Sequence, residues 1–173
     1  MAGVGGLVFD ASALIDYGNC APDVLALAAV HLAPVWVPDL VFAEVDCLTP
    51  EDAATLGITV AETSADHMDE AASRPRTLSF EDYLCFLLAR DAGFTCVTGD
   101  AALLRHCLAN GAAAVRGLRP LIDLARLGVL PLGRALRIAR SIEAQNDWMT
   151  RAVVVTVAVE LLVIRSGRRD GTA

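Results

Sequence analysis

The strongest constraint on this chain is an alternation of short, β-rich apolar runs with stretches of helical pattern. Two of the runs end in an aspartate: Gly6-Leu7-Val8-Phe9-Asp10 near the start, and Phe94-Thr95-Cys96-Val97-Thr98-Gly99-Asp100 past the middle. Apolar runs of this length between helices read as parallel strands buried on both faces. The alternation implies a three-layer α/β/α sandwich, a twisted parallel sheet of about five strands with helices on both sides. In open sheets of this kind ligands sit beyond the carboxyl ends of the strands. Asp10 and Asp100 therefore fall on the rim where the architecture places chemistry.

Between these runs the pattern predicts strands over 34–37, 57–61 and 112–115. Helices are expected over 12–17, 22–32, 39–47, 51–56, 65–72, 79–92, 101–109, 121–127 and 133–144. The clearest is 79–92, capped by Ser79 and stopped by Gly93. Residues 147–165 are ambiguous: the valines favour a strand, whereas length and position favour a closing helix. The chain reads as one domain over 1–146, with 147–173 as a helical extension whose last residues fray.

Composition narrows the function. All fourteen basic residues are arginine. The absence of lysine excludes Walker-type phosphate loops and Schiff-base catalysis. The five cysteines are odd in number and have no C-x-x-C spacing, so buried thiols in a reducing cytoplasm are expected rather than disulfides or zinc. His31, His67 and His106 are isolated and read as structural or surface groups. Met1 to Phe9 carries no basic start and reads as a strand, not a leader. The richest apolar run, Ala152 to Ile164, is short of the ~18 residues a membrane span needs. Charge is uneven: residues 1–100 hold sixteen acids and three arginines, and residues 101–173 hold five acids and eleven arginines. An acidic half suited to cations precedes a basic half suited to phosphates. Arg105, Arg116, Arg119 and Arg126 are candidates for phosphate contact, with surface solvation as the alternative.

Glu44 and Asp82, each expected in a helix, are candidates to join Asp10 and Asp100. Every one of the four has a second reading. Asp10 and Asp100 can cap the helices that follow them, Asp82 stands three residues after Ser79 as in a capping box, and Glu44 can simply face water. Glu81 is expected to face solvent. If the four converge, carboxylates ~5 Å apart repel by ~3 kcal/mol per pair at an effective dielectric of ~20, so they require protons or cations. An all-carboxylate set suits Mg2+ or Mn2+. Without a placed nucleophile, metal-assisted hydrolysis of a phosphodiester is the matching reaction.

The ordered set Leu7-Val8-Phe9-Asp10-Ala11-Ser12, Pro38 to Glu44, Leu78-Ser79-Phe80-Glu81-Asp82 and Thr98-Gly99-Asp100 resembles the PIN-domain ribonucleases, especially VapC-like toxins of type II toxin–antitoxin systems. The likeness spans about residues 5–116. It implies a PIN-like fold and a catalytic, metal-binding quartet of Asp10, Glu44, Asp82 and Asp100. Ser12 and Thr98 would orient the carboxylates. It further implies an Mg2+- or Mn2+-dependent endoribonuclease, with RNA as substrate, a cognate antitoxin and a homodimer as partners, and a cytoplasmic, non-membrane location. Ala101, Ala102 and Leu103 stand where many relatives carry one more acid, which leaves one or two metals open. The alternative is a degenerate PIN-like module that binds RNA or protein without turnover. A phosphohydrolase with Asp10 as nucleophile fits less well, because position 12 is Ser and no lysine is present.

Overall fold

The computed structural model describes residues 5–147 and 149–170. These residues group into two compact units that divide between Gly117 and Leu118. The sequence pattern carries the first body through residue 146; the structure instead gathers everything after Gly117 into the second unit.

The first unit is α/β. Among the described residues its strands are β1 (Leu7–Phe9), β2 (Val35–Pro38), β3 (Ile58–Ala61), β4 (Thr95–Thr98) and β5 (Ala113–Arg116). All neighbours pair in parallel, in the order β3-β2-β1-β4-β5. Its helices are α1 (Ala11–Cys20), α2 (Asp23–His31), α3 (Asp39–Phe42), α4 (Pro50–Leu56), α5 (Ala65–Ala72), α6 (Phe80–Ala92) and α7 (Ala101–Ala109). The chain leaves β1 toward β2 and β3, then returns to the other side of β1 for β4 and β5. Right-handed crossovers in opposite directions must place their helices on opposite faces. This produces the three layers. It also creates a switch point between β1 and β4, where the connections diverge and open a crevice beyond the carboxyl ends.

The core of this sheet is aliphatic. Val8, Phe9, Val35, Val37, Cys96 and Val97 are fully buried, as central strands covered on both faces require. Helix α6 lies against β1, β2 and β4, with Leu84, Cys85, Phe86 and Leu87 buried. Gly93, at φ +67°, ends it in a left-handed conformation that carries little cost only without a Cβ. Register is pinned by Phe9 opposite Val97 and by the Gly117 amide, which donates to the Thr98 carbonyl at 2.9 Å. The buried Tyr17 hydroxyl donates to the Gly117 carbonyl at 2.8 Å, tying α1 to the chain just past β5.

Two expectations need correction, at 39–47 and at the end of the chain, and one ambiguity is resolved. The helix expected over 39–47 is the four-residue α3, and Glu44 lies beyond its end. There the Glu44 and Val45 amides reach back three residues, to Val41 and Phe42, which tightens the chain into turns instead of extending an α-helix. The ambiguous stretch 147–165 contains a helix, α10 (Arg151–Asp170); burial of one face overrides the strand preference of its valines. That helix also runs into the segment expected to fray from 167, and residues 171–173 lie outside the described residues.

The second unit packs α8 (Arg119–Leu127), α9 (Leu132–Gln145) and α10 on one another. Arg119 and Arg126 of α8 both pair with Asp123, and both approach Glu160 of α10. Among the described residues of the whole chain, no single helix is long and apolar enough to cross a membrane.

Tyr17→Phe leaves a buried carbonyl at Gly117 without its donor, a loss of about 1–3 kcal/mol. Urea denaturation should show the midpoint falling with an unchanged slope.

Candidate functional site: a carboxylate rim at the switch point

The central residue is Asp10, which ends β1 and is only 2% exposed. Its position is fixed by local chemistry. Backbone φ and ψ there are extended, and one side-chain oxygen, Oδ1, accepts the Ala13 amide at 2.7 Å, so that Asp10 starts α1 as its N-cap. The Ser12 hydroxyl donates to the same oxygen at 3.0 Å. The other oxygen, Oδ2, takes a short hydrogen bond from the hydroxyl of Thr98, which is itself fully buried. Thr98 Oγ1 in turn accepts the Asp100 amide at 2.9 Å. One threonine hydroxyl thus connects the two strand ends across the β1/β4 boundary.

Asp100 repeats the arrangement on β4. Its Oδ1 caps α7 by accepting the amides of Ala102 and Leu103 at 2.5 and 2.8 Å. Both strand-end aspartates are therefore helix caps, and each is also a carboxylate on the rim of the switch point. The two readings of these residues hold together because they use the same atoms differently. Capping engages Oδ1, and Oδ2 of Asp100 makes no hydrogen bond among the described residues.

Asp82 sits in the first turn of α6. Its amide is capped by Ser79 Oγ at 2.9 Å, and its side chain is half-buried. Glu44 stands in the turn after α3 and is exposed.

The four acids share an electrostatic field. Burial pushes the Asp10 carboxyl up to about 6, against hydrogen bonds from Thr98, Ala13 and Ser12 that favour the charged form, and the charge of Asp82 raises it further. Asp82 is itself raised, first by burial and then by the charges of Asp100 and Glu81. Glu44 is raised by burial, by Glu81 and by Asp82. Asp82 is thus the common neighbour, felt by Asp10 and Glu44 and pressed by Asp100. Glu81 also belongs here: it is half-buried and is the strongest charge acting on Glu44. Its place beside Asp82 at the start of a helix made it look solvent-facing, and sequence spacing gives no signal that the turn carrying Glu44 would face it.

Such a field favours cations. The donor set is all oxygen and all acidic, the chemistry of a hard divalent ion, and a cation would relieve the cost of ionising Asp10 in a buried place. The arrangement is nevertheless open. Among the described residues no group of three or more His, Cys, Asp or Glu side chains is set to hold a metal ion.

The remaining candidates divide clearly. Arg119 and Arg126 are engaged by Asp123 and Glu160, which leaves them less free to meet phosphate. Arg105 and Arg116 are exposed and form no ion pair among the described residues. His67 pairs with Asp91 at 3.0 Å, and His106 packs against Tyr83 and Phe86. All five cysteines are free thiols.

The raised Asp10 carboxyl has a sign that can be checked. A carboxyl with a folded pKa of about 6 against an ordinary 3.8 contributes stability that is complete below about pH 4. That contribution, roughly 3 kcal/mol, is lost as pH rises through about 6. Asp10→Asn removes the ionisation while keeping an acceptor for Ala13. Its melting temperature should exceed that of the parent by several degrees near pH 7.5, with the difference closing near pH 4; an unchanged difference across that range would contradict the buried charge.

The chain matches no family model and no curated protein sequence.

Proposed function

We propose that this protein is a metal-dependent endoribonuclease of PIN type that hydrolyses phosphodiester bonds in RNA. The observation that carries the reading is Asp10: a nearly inaccessible carboxylate at the switch point, in the same field as acids delivered from three other segments of the chain. Folding alone explains the cap at Asp10. It does not explain why the charge of Asp82 bears on Asp10 and Glu44, and that of Asp100 on Asp82.

On this reading Asp10, Glu44, Asp82 and Asp100 would hold Mg2+ or Mn2+. Bound there, the ion would ease deprotonation of a water and would offset negative charge at the phosphoryl group. Ser12 and Thr98 hold Asp10 in one orientation through both of its oxygens, the support a metal ligand requires. The α1 N-terminus favours the ionised form of Asp10, its capping aspartate. Glu81 adds negative charge beside Glu44. The open arrangement means that side chains must converge when a cation binds, so the reading demands a measurable stabilisation by the ion.

The resemblance of the four motifs to VapC-like toxins extends the proposal to a toxin–antitoxin system, with a cognate antitoxin as the protein that silences it. A second reading, an RNA- or protein-binding module of the same fold without turnover, is favoured by one observation: no three of these acids are set to hold an ion as they stand.

Purified protein incubated with single-stranded RNA and Mn2+ separates the two. The nuclease reading expects cleavage that stops with chelator and falls at least 100-fold in Asp10→Asn and in Asp100→Asn, both remaining folded. It also expects Mn2+ to raise the melting temperature of the parent but not of Asp10→Asn. RNA binding without cleavage would transfer the protein to the second reading, and cleavage unchanged in both variants would assign the activity to a contaminant.

A further inference from the structure

Strands β2 and β3 leave the sheet as β1 and β4 do, with a threonine at one exit reaching an aspartate at the next. Asp39 directly follows β2, and Thr63 stands two residues past β3. Oδ1 of Asp39 accepts the Thr63 hydroxyl at 2.5 Å, the Leu40 amide at 2.8 Å and the Thr63 amide at 3.1 Å. Thr98 at the end of β4 donates to Asp10 beyond β1 by the same chemistry. Burial opposes the charge on Asp39, but its donors outweigh burial and hold the carboxyl below the usual carboxylate range. The contact is therefore a charge-assisted clamp at neutral pH.

Starting a helix does not by itself call for this clamp. An ordinary cap accepts an amide two or three positions along its own chain. Asp39 instead reaches the very next amide, and its other two donors belong to the loop after β3. What the clamp fixes is the entry to α3, a turn of four residues whose N-cap, Pro38, offers no side-chain hydrogen bond. A helix that short does not hold itself.

Glu44 hangs from that turn. The Ala43 amide donates to the Asp39 carbonyl at 3.0 Å, and the Glu44 amide donates to the Val41 carbonyl at 3.1 Å. Val41 and Val45, before and after it in sequence, are buried. No hydrogen bond among the described residues engages the Glu44 carboxylate itself. Its place is thus set through the main chain, which is anchored by the two valines and, at its entry, by Asp39.

We propose that Asp39, held by Thr63, is a positioning residue that presents Glu44 to a divalent cation at the switch point without touching the ion. The proposal rests on the nuclease reading, and it gives a fifth acid a task different from that of the quartet. An amide oxygen at position 39 would serve the same three donors, whereas an ion-binding role there would need the charge. Asparagine and alanine at this position therefore separate the two tasks.

Titration of the full chain with Mn2+, followed by the paramagnetic resonance signal of the free ion, tests it without recourse to activity. Asp39→Ala should weaken Mn2+ binding about tenfold, the scale of losing a group that orients a metal ligand. Thr63→Val should weaken it by a smaller factor, and Asp39→Asn should stay within about twofold of the parent. In a Glu44→Gln background Asp39→Ala should add less than about twofold, as expected of a residue that acts only through another. Asp52 supplies the control: it takes the amide and hydroxyl of Thr49 at 2.9 Å each, on a helix that starts beyond Glu44, so Asp52→Ala should bind Mn2+ as the parent does. Circular dichroism verifies each fold, and Thr63→Val carries the test if Asp39→Ala unfolds. Asp39→Asn as weak as Asp39→Ala, an undiminished loss in the Glu44→Gln background, or an equal loss in Asp52→Ala overturns the proposal. A parent that binds Mn2+ no better than its Asp39→Ala and Thr63→Val variants also overturns it and leaves the nuclease reading standing. A parent that takes no Mn2+ ends both.

Discussion

The structure of the first unit turns on one carboxylate group being held away from water. Asp10 ends the central strand, begins the first helix and receives the hydroxyl of Thr98 from the neighbouring strand. Those contacts fix where β1 stops relative to β4 and how the chain enters α1. They do not fully offset the cost of burial, since the group resists ionisation up to about pH 6. At neutral pH the sheet therefore carries a charge it accommodates poorly. A protein that needed only a cap would achieve it more cheaply with an exposed aspartate or a serine.

The topology explains why other acids act on the same place. Strands β1 and β4 are adjacent in space though 85 residues apart in sequence, and their connections leave in opposite directions. The crevice so formed is bordered by whatever follows each strand and by helix starts from the covering layers. Asp100 comes from the first source, Asp82 from the second, and Glu44 from the turn after β2 and α3. The charge of Asp82 felt at Asp10 and Glu44, and that of Asp100 felt at Asp82, is the physical trace of that arrangement, even though the side chains are not gathered tightly enough to enclose an ion.

Much of this was legible in the letters. Parallel strands announce themselves as apolar runs, and the boundaries of α6 follow from Ser79 and Gly93. Asp10 and Asp100 stand out because an acid directly after a buried run must go to a rim. What escaped the sequence was set by tertiary geometry. The pattern around Glu44 is helical for longer than the helix, because propensity does not register the i+3 turns after Phe42. The involvement of Glu81 depends on how that turn faces α6, and spacing cannot supply this. The valines of α10 obey their burial in place of their intrinsic preference. Arg119 and Arg126 looked available for phosphate until Glu160, more than thirty positions downstream, was found beside them.

The double duty of the capping aspartates has a consequence for ancestry. Because the same side chains terminate strands and launch helices, mutation toward other residues is penalised by misfolding before any chemistry is considered. A lineage that abandoned its substrate would go on spelling aspartate at both places for the sake of the scaffold. Persistence of these two letters among descendants would therefore record architecture, whereas drift at Glu44 and Asp82, which no strand end requires, would be the fossil of a lost reaction.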